Sequence, residues 1–228
     1  MRYPRVLTEA ATLQAAHLGS SIARYGDGEL KLCRGRSAKS QEHQPALSAM
    51  LSRILLDTSG PCLPCIPRLI ADGPKHQFWK EFYRPPWTRL YAATGSYGSS
   101  FITRPDSAPD IDNAGYWASI DDLWKGRDVV LIRGSTKSLT AERLWRARSV
   151  HEIVGPVQHA WKEHRDIFEN VRDERRRVIL CLGATATVLA WMLSYEGVHA
   201  LDLGHVGMFT KRIGPDGTVG AAHLSKKD

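Results

Sequence analysis

Short apolar runs alternate with helical patterns through the second half of the chain, and this alternation limits the possible folds most. "RDVVLIRG", "VHEIVGP", "RRVILCLG" and "VHALDLGH" each read as a buried strand. Between them lie "TAERLWRARS", "QHAWKEHRDIFENVRD" and "ATATVLAWMLSYEG", which read as helices. Strands and helices in strict alternation at short spacing specify an α/β fold with a largely parallel sheet. Such sheets bind ligands at the carboxyl ends of their strands. The corners that matter are therefore "GDGE", "RGSTKS", "LGATAT" and "DLGH".

The first half fits the same frame. "TEAATLQAAHLG" predicts a helix capped by Thr8 and ended before Gly19, and "SSIARY" a short strand closing at Gly26. "QPALSAMLSRILLD" carries apolar residues at helical spacing, and "HQFWKEFYRPPWTRLY" reads as a further helix stopped by Pro85 and Pro86. The glycine- and serine-rich "ATGSYGSSFITRPDSAPDIDNAGY" reads as a long functional loop. With 228 residues, the expectation is one domain spanning 1–228. No apolar run reaches the length of a membrane span and no signal peptide is evident, so a cytoplasmic location is the default expectation.

A net charge of +7 favours anionic partners but names none. The basic run "RDERRR" is broken by acids and reads as the solvated end of a helix. "CLPC" lacks the second pair a zinc site needs, so Cys33, Cys62, Cys65 and Cys181 are read as free thiols.

Four corners could carry chemistry. In "CLGATAT", Gly183 ends a strand, and the small residues through Thr185 and Thr187 let a phosphate approach a helix N-terminus. The corner is neither a Walker loop nor a G-x-G-x-x-G fingerprint. "RGSTKS" offers Lys137 and Ser138 as donors. "ALDLGH" sets Asp202 and His205 at a strand end, where they could bind a metal or move a proton. In "RYGDGE", Gly26 and Gly28 flank Asp27, with Glu29 two residues on and Arg24 just before. Read as an extended segment, the two carboxylates converge and call for a hard divalent cation, with Arg24 facing the remaining phosphate charge. The residues alone thus point to a metal and a nucleotide diphosphate.

Together these corners resemble the bacterial glycosyltransferases of the GT-D fold. Their R-[FY]-G-D-G-E segment is matched at 24–29, I-[ST]-R-P at 102–105 (including Arg104), L-G-x-T-A-T-V-L-A at 182–190 and A-L-D-[IL]-G-H at 200–205. The resemblance runs in order over about 15–210. One departure is Arg133, which precedes Gly134 where the family often has an acid. The resemblance implies a Rossmann-like GT-D domain that transfers sugar from a nucleotide-sugar, with a UDP-sugar expected, to a hydroxyl acceptor. Asp27 and Glu29 would hold Mn²⁺ or Mg²⁺ and the diphosphate. Arg104, Lys137, Gly183, Thr185 and Thr187 would surround the phosphates, and Asp202 or His205 would activate the acceptor or complete the metal shell. A glycan or glycoconjugate acceptor is favoured over modified DNA. Two rival readings are a metal-dependent nucleotide phosphoesterase and a non-catalytic nucleic-acid-binding module.

Overall fold

The computed structural model describes residues 4–135 and 138–209. Eight strands form one parallel sheet: β1 (Arg5–Val6), β2 (Ser21–Arg24), β3 (Cys62–Ile66), β4 (Ser96–Ser99), β5 (Asp128–Arg133), β6 (Ser149–Val154), β7 (Arg177–Cys181) and β8 (Ala200–Asp202). Their order is β1-β4-β3-β2-β8-β7-β5-β6, and every pairing is parallel. The α/β class and parallel sheet expected from the alternation are thus present. The helices are α1 (Glu9–His17), α2 (Asp27–Cys33), α3 (Pro45–Leu56), α4 (His76–Lys80), α5 (Ala114–Asp121), α6 (His164–Val171) and α7 (Ala184–Tyr195).

Strand side chains alternate between two cores. Ala23, Val130, Ile132, Val178, Leu180 and Ala200 face the layer of α2, α3, α6 and α7. Ile22, Val129, Leu131, Ile179 and Leu201 face α1 and α5. A sheet covered on both faces needs apolar residues at successive positions, which is why β5 and β7 read as unbroken apolar runs. The chain enters at one edge of the sheet, as β1 beside β4, and at the middle β2 lies beside β8, the last strand. Both strands open at the same edge, and a ligand crevice follows there.

Local chemistry explains the departures from expectation. "CLPC" is the interior strand β3, although Pro64 argues against one. Pairing to β4 begins only at Cys65, beyond the residue that lacks an N–H. The segment read as one long loop contains β4 and the start of α5. Gly98 in β4 lets two strands and α1 meet, because a Cβ there would lie 2.4 Å from Cys65 Sγ and 2.9 Å from Thr12 Cγ2. "TAERLWRARS" forms only a 3₁₀ turn at Ala141–Leu144, and "HQFWKEFYRPPWTRLY" breaks into α4 and two 3₁₀ turns. The run "RDERRR" does not end a helix: α6 stops at Val171, and Arg177 is the buried first residue of β7.

Gly98→Ala should therefore destabilise the fold by about 1–3 kcal/mol through overpacking. Urea unfolding checks this, with no change in m-value expected.

Candidate active site

A cavity of about 300 Å³ opens at the carboxyl ends of β2, β7 and β8. It gathers nine of the residues expected from the sequence: Arg24, Gly26, Asp27, Gly28, Glu29, Arg104, Gly183, Asp202 and His205.

The acidic corner is not extended. Gly26 is the N-cap of α2, so Asp27, Gly28 and Glu29 form its first turn. Residues two apart on a helix point in different directions, which corrects the expectation of convergence by strand alternation. Glu29 turns back, and its Oε2 accepts the Gly26 N–H at 2.8 Å, the reciprocal half of a capping box. Asp27 reaches along the helix to Lys31 Nζ at 2.6 Å, an exposed pair worth well under ~1 kcal/mol. Both carboxylates nevertheless line the same cavity. Burial pushes the Glu29 carboxyl up to about 7 against the pull of its backbone hydrogen bonds, and the nearby Asp202 and Asp27 charges add to the rise.

Asp202 sits beneath them, 4% exposed. Its Oδ2 accepts the Arg24 N–H at 3.1 Å and the Thr187 hydroxyl at 3.1 Å, and its Oδ1 accepts the Gly204 N–H at 3.1 Å. Arg24 Nε lies 3.8 Å from Oδ1. Burial raises the Asp202 pKa, with the Arg24 charge and these hydrogen bonds pulling against it. The Arg24 guanidinium also donates to the Ser100 carbonyl at 3.2 Å and to the Thr103 hydroxyl. Arg24 is thus tied into the protein, rather than standing free to face phosphate as the sequence suggested. Gly204, at φ +51°, passes so close that a Cβ would lie 1.9 Å from Arg24 Nη2.

The α7 corner has Gly183 at φ +56°, and Gly183 and Ala184 border the cavity. The first N–H groups of this helix have no intrahelical acceptor, and its first residue borders the cavity that the acids also line. The threonine side chains lie elsewhere, against expectation. Thr187 donates to the Arg24 carbonyl at 2.9 Å and to Asp202, while the Thr185 hydroxyl is buried with no partner among the described residues. A helix that packs ten of its residues inward has no free face for them near the ligand.

The "RGSTKS" corner is also set apart. Gly134 packs on the Pro156 carbonyl, Ser138 is buried behind Gly207, and Arg133 pairs with Glu152 on β6 at 2.7 Å. Lys137 lies outside the described residues. Arg104 binds Asp106 through two hydrogen bonds of 2.8 Å, and Lys75 binds the same carboxylate. Burial favours the neutral Asp106, but these two cations override it and hold the carboxyl at about 2. His205 is exposed at the mouth, and its ring has no hydrogen-bond partner among the described residues. The protein packed around its ring, and then the Arg24 and Arg104 charges, keep its pKa below the usual histidine value.

The sequence motifs miss Lys31, Ser37, Lys39, Ser40, Trp79 and Phe101, all of which border the cavity. The polar loop "RSAKSQ" resembles "RGSTKS" in composition and is the available signal; Trp79 and Phe101 give none.

Two substitutions at α7 separate structure from site. Thr187→Val should cost about 1–3 kcal/mol by stripping a donor from buried Asp202, whereas Thr185→Val should be neutral or stabilising. Thermal unfolding of the two variants checks the contrast. Asp106, with its lowered pKa, adds stability above the ordinary carboxylate range that is lost as pH falls towards about 2. Asp106→Asn should therefore be less stable than wild type at neutral pH, and the gap should close in acid titration.

Known proteins share the fold. Residues 22–209 match the family described as "Glycosyltransferase GT-D fold". "Probable glycosyl transferase Gly" of Streptococcus gordonii is 32% identical over 211 residues, covering 82% of this chain and 30% of that protein. "Glycosyltransferase GlyD" of Streptococcus pneumoniae is 28% identical over 201 residues, covering 82% and 25%. The chain thus spans less than a third of the length of these relatives. The structure described as "A New Glycosyltransferase (DUF1792) from Streptococcus sanguinis" superposes with TM-score 0.80 at 30% identity, covering 90% of this chain and 83% of the other. A second, of a domain said to have "a distinct glycosyltransferase fold", gives TM-score 0.81 at 28% identity, covering 91% and 80%. The chain belongs to the glycosyltransferase family of the GT-D fold.

Proposed function

We propose that this chain transfers a glycosyl group from a nucleotide-sugar, with a UDP-sugar as the expected donor, to a hydroxyl of a glycan or glycoconjugate. The observation that carries this reading is that the carboxylates of α2 and the N-terminus of α7 open into one cavity. A diphosphate bridging them meets the free N–H groups and dipole of α7 on one side. Lys39 borders the same space with no ion-pair partner among the described residues, and Lys31 and Arg104, paired with Asp27 and Asp106, add positive charge at its border.

The donor set suits a hard divalent ion. Asp27 and Glu29 are oxygen ligands bordering one cavity, and the rise of the Glu29 carboxyl, caused first by burial and then by the Asp202 and Asp27 charges, is one that a bound cation would oppose. Among the described residues no three His, Cys, Asp or Glu side chains group as a metal centre, so the protein would supply two ligands and leave positions for phosphate oxygens and water. Bound there, Mn²⁺ or Mg²⁺ offsets the charge that grows on the departing nucleotide.

His205 is the proton acceptor in this reading. It stands open to the cavity, and its lowered pKa keeps the imidazole neutral near pH 7. Asp202 has the positioning role, because its oxygens are already engaged by Arg24, Thr187 and Gly204. No described helix is long and apolar enough to cross a membrane.

Asp27→Asn and Glu29→Gln should each lower metal-dependent transfer by about a hundredfold or more. The fold should survive, since the amide oxygen introduced by Glu29→Gln still accepts the Gly26 N–H. Transfer from UDP-sugars with and without Mn²⁺, read beside melting temperatures, checks this. Near-normal transfer by both variants would overturn the assignment. Hydrolysis of many phosphate esters without donor preference would favour a phosphoesterase instead.

A further inference from the structure

A second cavity, of about 480 Å³, lies at the opposite, amino-terminal edge of the sheet. Because the strands are parallel, the segments that lead into β5, β6, β7 and β8 all arrive there. They bring Arg127, Arg148, Arg175, Arg176, Arg177 and His199 to one wall. Two carboxylates answer the five guanidiniums. Asp128 is taken by Arg148 Nε at 2.8 Å and by the Ser149 hydroxyl at 2.7 Å. Glu174 is taken by Arg176 Nε at 2.9 Å. Arg127, Arg175 and Arg177 have no acidic partner among the described residues.

Arg177 makes this more than a solvated basic surface. It is 8% exposed, and its guanidinium is anchored by two neutral acceptors. Nε donates to His199 Nδ1 at 3.1 Å, and Nη1 donates to the Leu123 carbonyl. His199 Nε2 contacts the Ser20 carbonyl at 3.1 Å, which assigns the proton to Nε2 and leaves Nδ1 as the acceptor. The Nη2 donor of Arg177 has no partner among the described residues, and the residue borders the cavity. Burial and then the Arg127 charge hold the Arg177 pKa down at about 10, and burial and Arg177 push His199 down to about 4. The wall is therefore positively charged and short of counter-charge, with Arg177 held at its base and no proton to gain from the histidine near pH 7.

We propose that this cavity binds a phosphate group at a site separate from the sugar-transfer cavity. Guanidiniums arriving from several strands present forked donors from several directions, which matches the oxygens of a tetrahedral oxyanion. Arg177 supplies the fixed donor at the base. Arg127 and Arg175, both exposed, supply further donors from the rim. The phosphate can come from a free solute or from a lipid headgroup, which offer the same oxygens to these donors. The two cavities lie at opposite ends of the strands, so failure of one reading leaves the other standing.

Inorganic phosphate is the probe, titrated against wild type without divalent metal and with sodium chloride holding ionic strength constant. Two variants locate the binding. Arg127→Glu/Arg175→Glu changes two exposed side chains without ion-pair partners, so the fold should persist. Lys39→Glu changes the other cavity. Phosphate should raise the melting temperature of wild type and of Lys39→Glu, and its apparent Kd should rise at least about tenfold in the double variant. No rise beyond the chloride control, or loss of the effect only in Lys39→Glu, would overturn the proposal. Co-sedimentation with phosphatidylcholine vesicles containing phosphatidic acid separates the sources. Pelleting that the double variant abolishes assigns the headgroup, and phosphate binding without pelleting assigns a free solute.

Discussion

The buried carboxylate of Asp202 is the contact around which the cavity is arranged. It stands at the end of β8 and accepts hydrogen bonds from the end of β2, from α7 and from the Gly204 turn. An isolated carboxylate at this depth would be prohibitively unstable, and the Arg24 guanidinium beside it is what makes it tolerable. Arg24 in turn reaches Ser100 and Thr103 beyond β4. One charge pair thus joins four segments distant in sequence. Removing either partner would leave the other charge buried, a loss of about 3–5 kcal/mol.

The rest of the site follows from that arrangement. With Arg24 and Asp202 turned inward, the charges left for a ligand are those on the rim. Asp27, Glu29 and Lys31 come from α2, Lys39 and Arg104 from other segments, and the start of α7 borders the same space. Tyr25, between the node and the acidic corner, is fully buried and donates its hydroxyl to the Leu51 carbonyl at 2.8 Å, tying the corner to α3. The acids are therefore carried on a helix start anchored to a core helix. Such placement suits a site whose ligands must be held still while charge develops.

The sheet separates two concentrations of charge. Its carboxyl edge mixes acids and bases around the family's motifs, while its amino edge gathers arginines with few acids. A parallel sheet produces this division directly, since every strand starts at one edge and ends at the other. The run "RDERRR" shows why the second cluster could not be read from composition. Its last arginine is buried in a strand, and its neighbours in the cluster come from Arg127, Arg148 and His199, up to about fifty residues away.

The sequence by itself determined the α/β class, most of the strands of the second half, the helices α1, α3 and α7, and the corners at which ligand chemistry collects. These are legible because unbroken apolar runs, helical periodicity and glycine stops act over a few residues. It also contained the four motifs in order. Tertiary structure decided β3 and β4, where Pro64 and Gly98 oppose strand formation locally and are accepted only because neighbouring strands and α1 pack against them. It decided that Asp27 and Glu29 begin a helix, that Thr187 serves Asp202 instead of a ligand, and that Lys39 and Trp79 border the cavity. Each of these depends on which distant segment stands opposite, and a chain read along its length has no local signal for what will face it across the fold.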